Sequence, residues 1–153
     1  MKRLILSFML VFGMVSLCTS QTANDKTNND KGELTVKIIG FRNDKGQTCV
    51  SIFNNAKGFP GKYAYAYRII RSSIKNNQAT IEFSNLPYGS YAVSVLHDEN
   101  MNNKLDTSFI GIPKEGCGAS NNPRGLFGPP SFEISKVELK SLHKTIDIRI
   151  KYF

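Results

Sequence analysis

The densest run of chemistry-bearing residues is His97-Asp98-Glu99-Asn100-Met101-Asn102-Asn103-Lys104-Leu105-Asp106. Side-chain oxygens recur at Asp98, Asn100, Asn102 and Asp106, and Lys104 can add its backbone carbonyl. That one-three-five-seven-nine spacing is how a loop wraps a hard cation such as Ca²⁺. Alternate side chains turn inward while the tight loop carries a carbonyl to the same point. Asn103 holds the sixth position, where such loops place glycine, and Asn tolerates the left-handed backbone needed there. The twelfth position is Phe109, so the bidentate carboxylate of an EF-hand is missing. Asp98, Asn100, Asn102, Lys104 and Asp106 are thus candidate ligands of a weak calcium site, with a dissociation constant on the order of 10⁻⁴ to 10⁻³ M. The competing reading is an Asx-rich turn that caps its own backbone.

Other residues nearby invite chemistry less specifically. His97 falls in step with Tyr91, Val93 and Val95, which suits a packed histidine at the core edge. Its functional alternative is a general base or ligand beside Asp98, Glu99 and Glu115. No nucleophile elbow, phosphate loop or dinucleotide fingerprint accompanies it, so no catalytic residue is assigned. A hydrolase or isomerase using His97 and Glu115 is the remaining enzymatic reading. Further on, Asn121, Asn122 and Arg124 would suit a polar ligand such as a glycan, with Phe109 or Phe127 as a stacking face. A self-packed Ω-loop is the alternative there. Cys49 and Cys117 could pair in an oxidising compartment, but their spacing leaves the pairing open, and no zinc-type spacing is present.

The elements that must hold these residues read as strands. Leu34, Val36 and Ile38 alternate with Thr35 and Lys37, and Val50 and Ile52 keep the same beat after the turn Asn43-Asp44-Lys45-Gly46. That pair is expected to form a hairpin. Residues 62 to 70 fit either a strand or a short helix. Asn76-Asn77 reads as a turn, Ala79, Ile81 and Phe83 as a strand, and Asn85 to Gly89 as a tight turn. Tyr91 to His97 is a further strand. Residues 98 to 131 lack periodicity and are rich in Gly, Pro and Asn. A loop of that length inside a domain is usually functional or disordered. Strand signal returns at Phe132 and Ile134 and changes phase at Val137 and Leu139, which predicts a bulge near Ser135-Lys136. Ile146, Ile148 and Ile150 make the last strand. The expected class is all-β: an antiparallel, immunoglobulin-like sandwich of about seven strands with one long irregular loop, a small barrel being the alternative.

The chain ends define location and domain limits. Lys2 and Arg3 precede the apolar run Leu4 to Leu17, and Cys18-Thr19-Ser20 offers small residues for cleavage before Gln21. Residues 1–20 are therefore expected to be a signal peptide, 21–32 a polar flexible spacer and 33–153 the sandwich domain. Cys18 also permits a lipoprotein, although Leu17 is bulky for the position before a lipidated cysteine. The location expected is periplasmic, outer-envelope or secreted, with no transmembrane span once the leader is removed. Losing Lys2 and Arg3 lowers the formal charge from +8 to +6. The basic residues are scattered, so nucleic acid is not an expected partner. An envelope ligand or protein is expected instead, of a kind the residues do not specify, and the oligomeric state is open.

Several motifs carry a resemblance. Leu34 to Phe53 with its Arg42-Asn43-Asp44-Lys45-Gly46 turn, Gly58-Phe59-Pro60, and Leu86 to Val93 are among them. So are His97-Asp98-Glu99-Asn100, Leu105-Asp106, Gly111 to Gly116, Ser120-Asn121-Asn122 and Gly128 to Phe132. Together they resemble the domain of unknown function 2141, a family of small exported bacterial proteins. Its central portion is similar to transthyretin-like (prealbumin-like) sandwich modules, in which Leu-Pro-x-Gly-x-Tyr leads into a strand. The resemblance implies a sandwich and export, and glycines at the positions where this chain has Met101 and Asn103. It implies no activity, because one sandwich hosts many tasks.

Overall fold

The computed structural model describes residues 30–124 and 128–153. The expected signal peptide, its cleavage point, Cys18, most of the spacer and Phe127 lie outside the described residues. Eight strands and one helical turn follow in order: β1 (Lys31–Ile39), β2 (Gln47–Phe53), β3 (Arg68–Ser72), β4 (Gln78–Pro87), β5 (Gly89–Asp98), β6 (Cys117–Ala119), α1 (Phe132–Ser135), β7 (Lys136–Leu139) and β8 (His143–Arg149). β1 starts inside the expected spacer, at Lys31 rather than Glu33.

One sheet has the order β4-β1-β8, the other β3-β2-β5-β6, with β7 beside the first half of β5. Leu34, Val36 and Ile38 of β1 are fully buried against Val50 and Ile52 of β2, and Phe83, Val93, Leu139 and Ile148 complete that core. Each such side chain contributes roughly 1.5–3 kcal/mol by leaving water. All pairs are antiparallel except β1 with β8, which run parallel.

The expected β1–β2 hairpin does not form. β1 pairs with β4 and β8, and β2 pairs with β3 and β5, so the 40–46 segment crosses from one sheet to the other. Phe41 is buried in this crossing. Gly46 turns at φ +68°, where a Cβ would also run into the Asp98 carbonyl. The Asp44 carboxylate accepts the backbone N–H of Asn76 (2.9 Å) and Asn77 (2.7 Å), tying the crossing to the left-handed β3–β4 turn.

Three other expectations change, the first being that strand β6 forms inside the 98–131 stretch expected to be one irregular loop, pairing with β5. The 62–70 segment divides into a 3₁₀ turn, Tyr63–Tyr65, followed by β3. Phe132 and Ile134 lie on a helical turn, not a strand, because the Ser131 side chain accepts the Ile134 N–H as an N-cap. The change of phase at Ser135-Lys136 is thus a helix-to-strand junction, not a bulge.

β2 and β5 are buried on both faces. Phe59 covers the outer side by packing edge-on to Phe53 and Phe132, and Ser94 Oγ donates to the Pro60 carbonyl at 2.8 Å. The sheets join where Cys117 and Lys151 exchange backbone bonds of 3.0 and 2.9 Å. On the opposite side, the Arg68 guanidinium reaches the Ser84 carbonyl across the seam between β3 and β4.

Candidate functional site

β5 delivers His97 to the inner face and Asp98 to the outer face, both fully buried. His97 Nε2 faces the Lys45 carbonyl at 2.9 Å and Nδ1 faces the Tyr152 hydroxyl at 2.7 Å. A carbonyl only accepts, so Nε2 donates to Lys45, and in the neutral imidazole Nδ1 accepts from Tyr152. Tyr152 Oη in turn accepts the Arg42 N–H at 3.0 Å. Phe41 stands edge-on to the imidazole at 5.1 Å between centroids. This chain of bonds fixes the β1–β2 crossing to β5 and to the C-terminal segment, and it occupies both ring nitrogens.

Asp98 organises the loop that follows. Its Oδ1 accepts the Asn102 N–H (3.0 Å), and Oδ2 accepts the Asn103 N–H (2.9 Å) and Gln47 Nε2 (2.8 Å). Asn100 Oδ1 accepts the Asn102 N–H at 3.1 Å, and Asn102 Oδ1 accepts the Lys104 N–H at 2.8 Å. Asn103 sits at φ +61° and Met101 at φ +60°, so both positions adopt the left-handed backbone that favours glycine. The amides of Asn100 and Asn102 donate to the two oxygens of Asp106, at 2.7 and 3.1 Å. The Asx side chains of the loop thus cap its own backbone N–H groups and bond one another. Among the described residues no three His, Cys, Asp or Glu side chains converge as a metal cluster. The loop's own donor set is two carboxylates, two amides and the Lys104 carbonyl.

Glu115 is the second buried carboxylate. Its Oε1 accepts the Glu99 N–H (2.9 Å) and Oε2 the Asp106 N–H (3.0 Å), clamping both ends of the 99–106 loop. Glu115 therefore braces the loop, and both its oxygens face backbone, with none directed at His97. Beyond this clamp the chain makes a small finger. The Lys114 N–H bonds the Asp106 carbonyl (2.8 Å), Ser108 N–H the Ile112 carbonyl (2.7 Å), and Gly111 N–H the Ser108 carbonyl (2.9 Å). Gly111 has φ +82°. Phe109 and Ile110 occupy the tip, 101% and 66% exposed.

Asn121 and Asn122 are also committed to backbone. Asn121 Nδ2 donates to the Ile134 and Lys136 carbonyls, while Asn122 bonds the Asp147 carbonyl and the Arg149 N–H. Both adopt positive φ. They clip the loop to β7 and β8, and exposed Arg124 stands apart from that network. Cys49 and Cys117 flank Leu96 from opposite neighbouring strands. Their separation is about two strand spacings, roughly 10 Å, beyond disulfide reach, and both thiols are free. Burial pushes both thiols above their usual range. Burial, with Cys49 and Asp98 nearby, likewise lifts the Tyr63 hydroxyl to about 12. None of these groups is an activated nucleophile.

Residues around the loop that the spacing rule did not single out complete it. Arg71 Nε donates to Asn103 Oδ1 at 2.6 Å. Arg42 grips Glu99 through Nε (2.9 Å) and Nη2, and Asn43 Nδ2 adds a bond at 3.0 Å. No local pattern announces these partners, which lie 32 to 57 positions away. Two open surface depressions, about 380 and 220 Å³, lie by Ser72–Thr80 and by Lys31 and His143, away from this loop.

An all-β sandwich with an Asx-clamped loop defines the class. The model of an uncharacterized protein family conserved in bacteria, domain of unknown function 2141, matches residues 36–147, and the chain belongs to that family. No curated protein and no solved structure matches it, so the transthyretin-like likeness has no support from these comparisons.

The Arg42 guanidinium, by its side-chain bond, holds the Glu99 carboxyl down to about 2. A depressed carboxyl stabilises the fold above its unfolded value near 4, and that contribution is lost as pH falls from there through about 2. In a series of melting temperatures against pH, Glu99→Gln is expected to flatten this part of the acid limb. Parallel acid limbs for the two proteins would refute the assignment.

Proposed function

We propose that the chain is an exported, non-enzymatic interaction module of the bacterial envelope, with the sandwich as scaffold and the 106–114 finger as its contact element. The observation that carries this reading is Phe109, wholly exposed at the tip of a finger whose base has its polar groups paired. A water-exposed Phe-Ile pair contributes nothing to a core, so its use lies outside the chain. Export rests on the leader-like residues 2–20. Against the hydrolase or isomerase reading, His97 and Glu115 are each bonded at both heteroatoms, to different partners. Against the glycan reading, the Asn121 and Asn122 amides face backbone groups.

Replacing the tip by Phe109→Ser with Ile110→Ser removes no packed side chain, so stability should change by no more than about 0.5 kcal/mol. Retention on washed envelope membranes should fall steeply. Unchanged retention of the folded double variant would contradict the role given to the finger.

A second reading concerns the base. The side-chain oxygens at alternate positions Asp98, Asn100, Asn102 and Asp106, with the Lys104 carbonyl and left-handed Asn103, support a weak calcium site that stiffens the finger's root. Ca²⁺ there would take over the charge of Asp106 that two amides now share. At ten times its dissociation constant, a single ion adds about 1.4 kcal/mol of stability. The melting temperature should therefore rise at millimolar Ca²⁺, and Asp106→Asn should abolish the rise. Superimposable melting curves in calcium and in chelator would rule the site out.

A further inference from the structure

The finger has the shape and charge of a membrane wedge. Ten large apolar side chains are exposed among the described residues, and five of them (Met101, Leu105, Phe109, Ile110 and Ile112) fall between positions 101 and 112. That clustering is what separates them from the scattered exposed apolar residues any surface carries. The tip turn is closed by the Gly111-to-Ser108 bond and by Ser108 Oγ, which accepts the Ile112 N–H at 3.0 Å. Phe109 and Ile110 are therefore held outward by backbone bonds.

The exposed charges of the same segment are both positive. Lys104 and Lys114 are exposed at the root. Its carboxylates lie deeper: Asp98 and Glu115 are buried, Glu99 is paired with Arg42, and Asp106 is half-buried beneath the Asn100 and Asn102 amides. Without the expected leader the chain is still basic, with a formal charge of +6 (20 − 2 basic against 12 acidic). A partner for this tip must offer an apolar medium behind a negative surface.

Resting on the reading of the finger as contact element, we propose that its partner is an anionic phospholipid bilayer, into whose interface Phe109 and Ile110 insert while Lys104 and Lys114 meet the headgroups. Area favours lipid over a folded protein. The tip side chains can cover on the order of a few hundred Å², short of the roughly 500 Å² per partner that a specific protein interface needs. Insertion into a bilayer sets no such minimum, and each lysine near an anionic surface strengthens binding about fivefold. The attachment is reversible and salt-sensitive.

The chain contains no tryptophan, so Phe109→Trp places a single indole at the tip, where full exposure means no packing is disturbed. The indole reports on the tip alone, whatever the leader or another segment does. Vesicles of mixed phosphatidylglycerol and phosphatidylcholine should shift its emission to the blue and expose it to quenchers on the acyl chains. Pure phosphatidylcholine should leave it unchanged, and Lys104→Gln with Lys114→Gln should weaken the anionic response about twenty-five-fold. An equal response to neutral and anionic vesicles would overturn the proposal. So would silence with every vesicle alongside a protease-sensitive shift on washed envelope, although the finger would then remain a contact element, for protein. Silence with vesicles and envelope alike would overturn both readings.

Discussion

Two carboxylates taken out of water govern this structure. Asp98 and Glu115 are buried, and an isolated charge in that position is too costly to persist unless hydrogen bonds replace its hydration. Backbone N–H groups supply them. Asn102 and Asn103 turn back onto Asp98, while Glu99 and Asp106 turn onto Glu115. The bonds work in both directions, because the loop amides also need partners. A stretch with few apolar side chains facing inward thereby acquires one shape without a core of its own.

The same constraint reaches the scaffold. Gln47, at the start of β2, adds a bond to Asp98, so the end of the sheet-to-sheet crossing is set by the carboxylate on β5. On the opposite face of β5, His97 holds that crossing by its carbonyl bond to Lys45, and Tyr152 and Arg42 extend the link to the chain's end. Adjacent residues of one strand thus fasten the loop on one side and the arch on the other. Removing either anchor leaves part-buried polar groups short of a partner, on the loop for Asp98 and on the arch for His97.

Much of this was legible in the residues. The alternation at Leu34-Val36-Ile38, Val50-Ile52 and Tyr91-Val93-Val95 marks buried strands, and the Asx spacing from Asp98 marks a loop that caps its own backbone. Partner choice was not legible. The Asn43 to Gly46 turn reads as a hairpin because local chemistry cannot distinguish a return within one sheet from a crossing between two. Buried Phe41 and the left-handed Gly46 decide for the crossing only once the second sheet exists. Phe132 and Ile134 alternate like a strand, yet one serine cap outweighs that short pattern. Glu115, Arg42 and Arg71 could not be assigned to the loop, since their bonds form through tertiary folding. The amide bonds that occupy Asn121 and Asn122 were hidden for the same reason.

Amide hydrogen exchange tests the central claim most directly. If the buried carboxylates hold the loop, the N–H groups of Glu99, Asn102, Asn103 and Asp106 exchange slowly, with protection approaching that of β5, despite lying in a segment with little regular secondary structure. Exchange of these four amides at the rate of an unstructured peptide, while β5 stays protected, would contradict the account.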